Sequence, residues 1–200
     1  MRRFSIALFC MMLFLTAARS QTKQDSLDLR KAMDSYRNAS LKLDVDSLLH
    51  SIPPTLFTLI SYEELKSVLA ASFNNEVLEM SITSLDYRSV MPLVSIDSML
   101  CTLVSYDAKI VMNLKETDDE DVYPLMIDYM KRKYGEDGVV IDPDNPGKIT
   151  IDSNGKKMFA LKDADWDSWK FMEDKRESEE VQERTLMKMV IPEAVLNHFE

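Results

Sequence analysis

The chain has 200 residues, a formal net charge of −10, 46% hydrophobic and 29% charged residues. That length can bury a full core without staples, and that acidity opposes nonspecific binding to nucleic acid or to anionic lipid headgroups. With 4 glycines and 2 histidines in all, there is no phosphate-cradling loop and little from which to build a metal centre.

The N-terminus carries the pattern of a secretory signal. Arg2 and Arg3 precede an apolar run from Phe4 to Leu15, and Ala18-Arg19-Ser20 places small residues at −3 and −1, so cleavage is expected between Ser20 and Gln21. The run is too short to span a bilayer of about 30 Å, and no later segment approaches the ~18 apolar residues a spanning helix needs. No stable membrane insertion is therefore expected. Cys10 lies inside the run, not just after the cleavage site, so no lipid anchor is expected either. The expected address is periplasmic or secreted, and the signal is bacterial in style. Cleavage removes Arg2, Arg3 and Arg19 and no acid, which takes the formal charge from −10 to −13. Only Cys101 survives it, so an intramolecular disulfide is excluded. Residues 21–200 are read as one domain held by buried apolar surface.

Asp25 to His50 reads as one amphipathic helix, with Leu29, Ala32, Met33, Tyr36, Ser40 and Leu43 at three- and four-residue spacing. Pro53-Pro54 breaks it. A second helix is predicted from Ser61 to Phe73. Ser61-Tyr62-Glu63-Glu64 fits a capping box, and Ile60 with Leu65 fits the hydrophobic staple. The period then becomes two: Leu78, Met80 and Ile82 alternate with Glu79, Ser81 and Thr83. After Pro92, one long strand is predicted from Ile96 to Leu114, with Leu100, Val104, Tyr106, Ala108, Ile110, Met112 and Leu114 on its apolar face. A third helix follows the acids Asp118 to Asp121, which suit its positive end. Lys131, Arg132 and Lys133 suit its negative end, and Gly135 stops it. The remainder reads as a meander. Asn154-Gly155 is predicted to turn a hairpin between Ile149–Asp152 and Lys157–Leu161. A further strand carries Trp166, Trp169 and Phe171, Glu173 to Arg184 is a solvated loop, Leu186 to Ile191 is a last strand, and Pro192 starts a short helix.

This order is α+β, with helices packed on a curved, mainly antiparallel sheet. It resembles the cone-shaped fold of the NTF2-like superfamily over nearly the whole mature chain. Within that superfamily the chain is most similar to exported proteins of Bacteroidetes-type bacteria. The resemblance implies a pocket between the first helix and the concave sheet face. Some members use it for isomerase, dehydratase or cyclase chemistry, while others only bind there or keep it filled. No Asp/His or Tyr/Asp catalytic set aligns, so the resemblance assigns no site residue.

His50 and His198 stand far apart without a second ligand at useful spacing, so no metal is expected. Asp142-Pro143-Asp144-Asn145-Pro146-Gly147 has the look of a calcium loop, but Pro146 stands where an oxygen ligand belongs and Ser153 replaces the closing acid. A rigid turn is expected there. Cys101 falls on a strand with no histidine near it in sequence, and is read as a buried structural thiol. Met187 and Met189 are read as core filling rather than as copper ligands. Asn38-Ala39-Ser40 matches a glycosylation sequon but lies mid-helix.

One acid and two phenols form the remaining constellation. Tyr36 lies on the apolar stripe of the first helix, and Tyr106 on the apolar face of the long strand. Asp86 shares parity with Leu78, Met80 and Ile82, so an unbroken strand turns it inward beside them, where it could act as a base with phenols as oxyanion donors. A slip of alternation near Ser84, suggested by Leu85 and Tyr87, turns it outward instead. No catalytic residue is assigned and no cofactor is expected. The leading expectation is a non-catalytic exported domain that binds a small apolar ligand or an envelope protein. The alternatives are an isomerase or dehydratase using Asp86, Tyr36 and Tyr106, and a structural envelope component that forms a homodimer through the outer face of its sheet.

Overall fold

The computed structural model describes residues 23–115 and 122–200. The signal region 1–20 and the acids Asp118 to Asp121 lie outside those residues. The stretch expected as one helix is two: α1 over 23–42 and α2 over Val45–His50. The break is built at Leu43, whose φ is 52°. The Asp44 N–H donates to Ala39 O at 2.9 Å and the Leu43 N–H to Ser40 O at 3.1 Å, a paired closure of the helix end that usually uses glycine. Asp44 then caps α2, its carboxylate accepting from the Ser47 N–H at 3.2 Å. The apolar period runs unbroken through this corner, so hydrophobic spacing alone cannot reveal it.

A 3-10 turn over Pro54–Thr58 follows the two prolines, and α3 occupies Tyr62–Phe73 as predicted. Ser61 Oγ accepts from the Glu64 N–H at 3.2 Å, while Ile60 and Leu65 both pack on the same core cluster. The strands are β1 (Leu78–Val90), β2 (Val94–Ile96), β3 (Met99–Leu114), β4 (Val139–Ile141), β5 (Lys148–Lys162) and β6 (Lys170–Glu173). They form one open antiparallel sheet in the order β1-β3-β5-β4, with β2 beside β3 and β6 beside β5. The helices α4 (Val122–Tyr134), α5 (Val181–Val190) and α6 (Glu193–His198), with a second 3-10 turn over Glu136–Gly138, complete the described elements.

Four predicted elements are corrected. The strand expected to begin at Ile96 is a hairpin: Asp97 and Ser98 have φ of 47° and 68°, the paired positive values of a two-residue turn, and Ile96 faces Met99. Asn154-Gly155, expected to reverse the chain, sits within the continuous strand β5. Residues on both sides of it pair with β3, Ser153 with Ala108 and Lys156 with Tyr106, so the positive φ of Gly155 (67°) makes a bulge instead of a turn. Trp166 and Trp169 precede β6, in a loop where the Trp166 N–H donates to Asp163 O at 3.2 Å. Finally, Leu186 to Ile191 is not a strand. It falls mostly within α5, which starts inside the segment expected to be a solvated loop; Met187, Val190 and Ile191 make a helical stripe in the core.

Paired residues in neighbouring strands point to the same face, which sorts the core. On one face α1 lays Leu29 and Met33 over Val104, Met158 and Ala160, and α4 lays Met126 and Met130 over Ile110, Met112, Ile149 and Ile151. On the other face α5 and α6 cover Cys101, Leu103, Phe159 and Leu161. The helices therefore lie on both sides of one half of the β3–β5 pair and on one side of the other half. Bulges at Thr83, Arg88 and Asn154-Gly155 bend the sheet between the halves. Asp107 joins two of them. Its carboxylate accepts from the Gly155 N–H at 2.7 Å and from Arg88 Nε at 2.6 Å.

Candidate functional site

The Thr83 bulge decides the fate of Asp86. Ile82 pairs with Ile110 on the helix-covered face, but Ser84 pairs with Lys109 on the opposite face, and the alternation is inverted from there on. Asp86 faces Asp107 and is exposed, while Leu85 is buried. Tyr36 and Tyr106 lie across the sheet from it, so the acid and the two phenols do not assemble.

The two phenols themselves are brought together. Tyr36 projects from α1 into the cluster that holds Val104, Met158 and Phe171, its ring 5.1 Å from that of Phe171. Tyr106 enters the same cluster from β3. Burial pushes the Tyr36 phenol up to about 12, helped by the charge of Glu173 and opposed by a hydrogen bond with Ser40. Burial also raises Tyr106, with Glu173 the next cause and Tyr36, Tyr134 and Tyr87 adding to it. Tyr87 is raised by burial as well, and its hydroxyl donates to Met33 O at 2.6 Å. These phenols are protonated near neutral pH, a state in which a phenol can donate a hydrogen bond but not act as a base.

The acid that acts on this cluster is Glu173, at the end of β6. It pairs in register with Met158 and therefore shares the face of Val104 and Tyr106. Sequence reasoning missed it by starting a solvated segment at that residue. A signal was present: Phe171 and Glu173 are two apart on a short strand, so a buried Phe171 directs Glu173 to the same face. The Glu173 carboxylate is held by Lys175 Nζ at 3.0 Å.

Glu173 also borders an open cleft of about 470 Å³. Its floor is the outer edge of β5 at Asn154–Lys157, between β4, paired with Ile149–Ile151, and β6, paired with Met158–Leu161; the edge lies bare as far as Lys156, while the Lys157 carbonyl accepts from the Asp174 N–H at 2.8 Å. Arg132 and Lys133 of α4 form one wall, and the loop from Asp174 to Glu180 with Glu183 of α5 forms another. Lys133 reaches Glu180 and Glu183 at 3.8 Å each, Lys175 reaches Glu183 at 3.3 Å, and Tyr129 donates to Glu180 at 2.9 Å. The space under α1, where the fold resemblance implies a pocket, is occupied by Leu29, Met33, Tyr36, Trp169 and Phe171.

The other sequence candidates take structural places. Cys101 is buried, its thiol pushed up to about 11 by burial and donating weakly to Val94 O at 3.7 Å. His50 Nε2 lies 3.0 Å from Asp167 on the surface, and the His198 ring stacks edge-on against Phe199 at 5.0 Å. Asp142 accepts from the Asp144 and Asn145 N–H groups at 3.0 and 3.3 Å, so its carboxylate closes the turn. Met187 is fully buried, whereas Met189, expected in the core, is exposed because the helix turns it outward. Among the described residues there is no group of three metal-ligating side chains, and no helix long and apolar enough to cross a membrane. Compared with known proteins, the chain matches no family, no curated protein and no solved structure.

Proposed function

We propose that this chain is an exported, bacterial, non-catalytic binding domain of NTF2-like type, which engages a protein or peptide partner through the charged cleft beside β5. The observation that carries this reading is the contrast between two places. The space under α1 is packed with side chains, whereas the open recess is walled by charges of both signs. A small apolar ligand gains little in a charged recess, because the charges it desolvates receive nothing in return. A polar partner gains complementarity there. Export rests on the signal pattern before Gln21. The open sheet face around Lys109 and Asp152 is polar and ion-paired, so it offers little apolar area for the homodimer.

Native mass spectrometry of the mature protein tests the reading. The expected spectrum is a bare chain beginning at Gln21. A retained apolar molecule, released on denaturation, would return the small-ligand reading to first place.

One observation favours an acid–base enzyme instead. Tyr106 has no hydrogen-bond partner for its hydroxyl among the described residues, and Glu173 is the carboxylate that acts on it. In that reading Glu173 takes the role expected of Asp86. Turnover of a carbonyl substrate that is lost in Glu173→Gln and kept in Asp86→Asn would establish it.

A further inference from the structure

The charges of the cleft are sorted by wall. On the side of α4 and β5, Arg132 and Lys156 form no ion pair among the described residues, although the cations beside them, Lys133 and Lys175, are each tied to glutamates; Lys157 alternates to the other face, where its charge acts on Asp174. On the loop side, Glu177 and Glu179 line the same recess and likewise form no ion pair among the described residues. Lys156 is held with its amine 5.3 Å over the Tyr134 ring, which restrains its stem before anything binds. The floor adds the Asn154 side chain, at a bulge whose Gly155 N–H is already committed to Asp107.

We propose that this cleft takes a short peptide with free ends, its carboxylate against Arg132 and Lys156 and its ammonium against Glu177 and Glu179. The inference deepens the binding reading above and rests on it. A purely anionic ligand meets the two glutamates, a purely cationic one meets the two bases, and a neutral one strips water from all of them without compensation. A dipolar ligand alone answers both walls. The recess, at about 470 Å³, falls in the range of roughly 300–1,000 Å³ usual for small-molecule sites. Exposed charge pairs are individually weak, so millimolar affinity is expected, with strong dependence on salt.

The test is an NMR titration of the mature protein with triglycine, with N-acetyl-triglycine and with triglycine amide. Triglycine should shift the amides of Asn154 to Lys157 and of Glu177 to Glu180, and blocking either end should weaken binding at least tenfold. Lys156→Gln should weaken triglycine by several-fold. It should leave the spectrum otherwise native, because the half-buried side chain forms no hydrogen bond or ion pair among the described residues and gives up only its contact with the Tyr134 ring. If the doubly charged and blocked peptides bind alike, or if triglycine shifts nothing at tens of millimolar, the dipolar assignment is overturned. Free glycine accumulating during the titration would leave that assignment standing and overturn the non-catalytic reading, so the two failures are distinct.

Discussion

β3 and β5 are paired along nearly their whole length, yet their two halves have different surroundings. From Cys101 to Val104 every residue of β3 is buried, as are Met158 to Leu161 opposite, because helices cover both faces there. Beyond the Asp107 bulge line only one face is covered. Ile149 and Ile151 are buried under α4, while Lys109 and Asp152 pair at 3.1 Å on the open side. The sequence writes this difference as two patterns in one strand: an unbroken run, Leu100-Cys101-Thr102-Leu103-Val104, and then alternation. A continuous run means two covered faces, and alternation means one.

The largest effect that could break this comparison is a cavity in the doubly covered half. Phe159 is fully buried between Leu103 and Phe199, so Phe159→Ala should cost about 3–5 kcal/mol in denaturant unfolding. Val111→Ala, on the open face of the other half, should cost less than ~1 kcal/mol. Equal losses would mean that the two halves are not differently covered.

The boundary itself is sharpened by Gly155→Ala. An added Cβ meets nothing within 4 Å, so the cost is that of holding alanine at φ 67°, about 1–2 kcal/mol. A neutral result would place no positive φ at the bulge. Asp107 gives the same boundary a pH signature. The Gly155 N–H, first, and then Arg88 hold its carboxyl below the ordinary 3.8. Because the folded value is depressed, its contribution is complete above the ordinary value and is lost as pH falls through the folded one. Melting curves below pH 3.8 should therefore drop less steeply for Asp107→Asn than for the wild type.

The smallest effect is expected at Trp169, buried beneath α1 with its indole N–H unpartnered among the described residues. In Trp169→Phe the lost contacts are offset by removal of an unsatisfied donor, leaving a net change within about 1 kcal/mol. A loss of several kcal/mol would show that the indole N–H has a partner.

Local signals were legible wherever they did not depend on what lies opposite. Ser61 and its neighbours start α3 because a capping box needs only three residues and their own backbone. Tyr36 and Tyr106 were legible as inward residues from period alone. Asp86 was legible only as one of two alternatives: Leu85 and Tyr87 suggested the slip near Ser84 that turns it outward, but a bulge belongs to a pair of strands, so only the pairing with β3 decided between them. Asn154-Gly155 failed for the same reason: positive φ is intrinsic to glycine, but whether it turns the chain or kinks a strand depends on continued pairing to β3. The helix α5 was hidden by its charged first turn, since only contact with Phe159 and Leu103 reveals which of its residues are apolar by design.

By itself, then, the sequence determined the α+β class, the antiparallel strand pattern, the helix starts and stops set by caps and prolines, and the one cysteine left after the signal pattern. Those properties are written in short-range periodicity and composition. Only the tertiary structure decided that Glu173, not Asp86, faces the phenols, that the space under α1 is filled, and that unpaired charges gather beside the bare edge of β5. Each of those depends on register between distant strands, and register is settled by packing across the whole sheet.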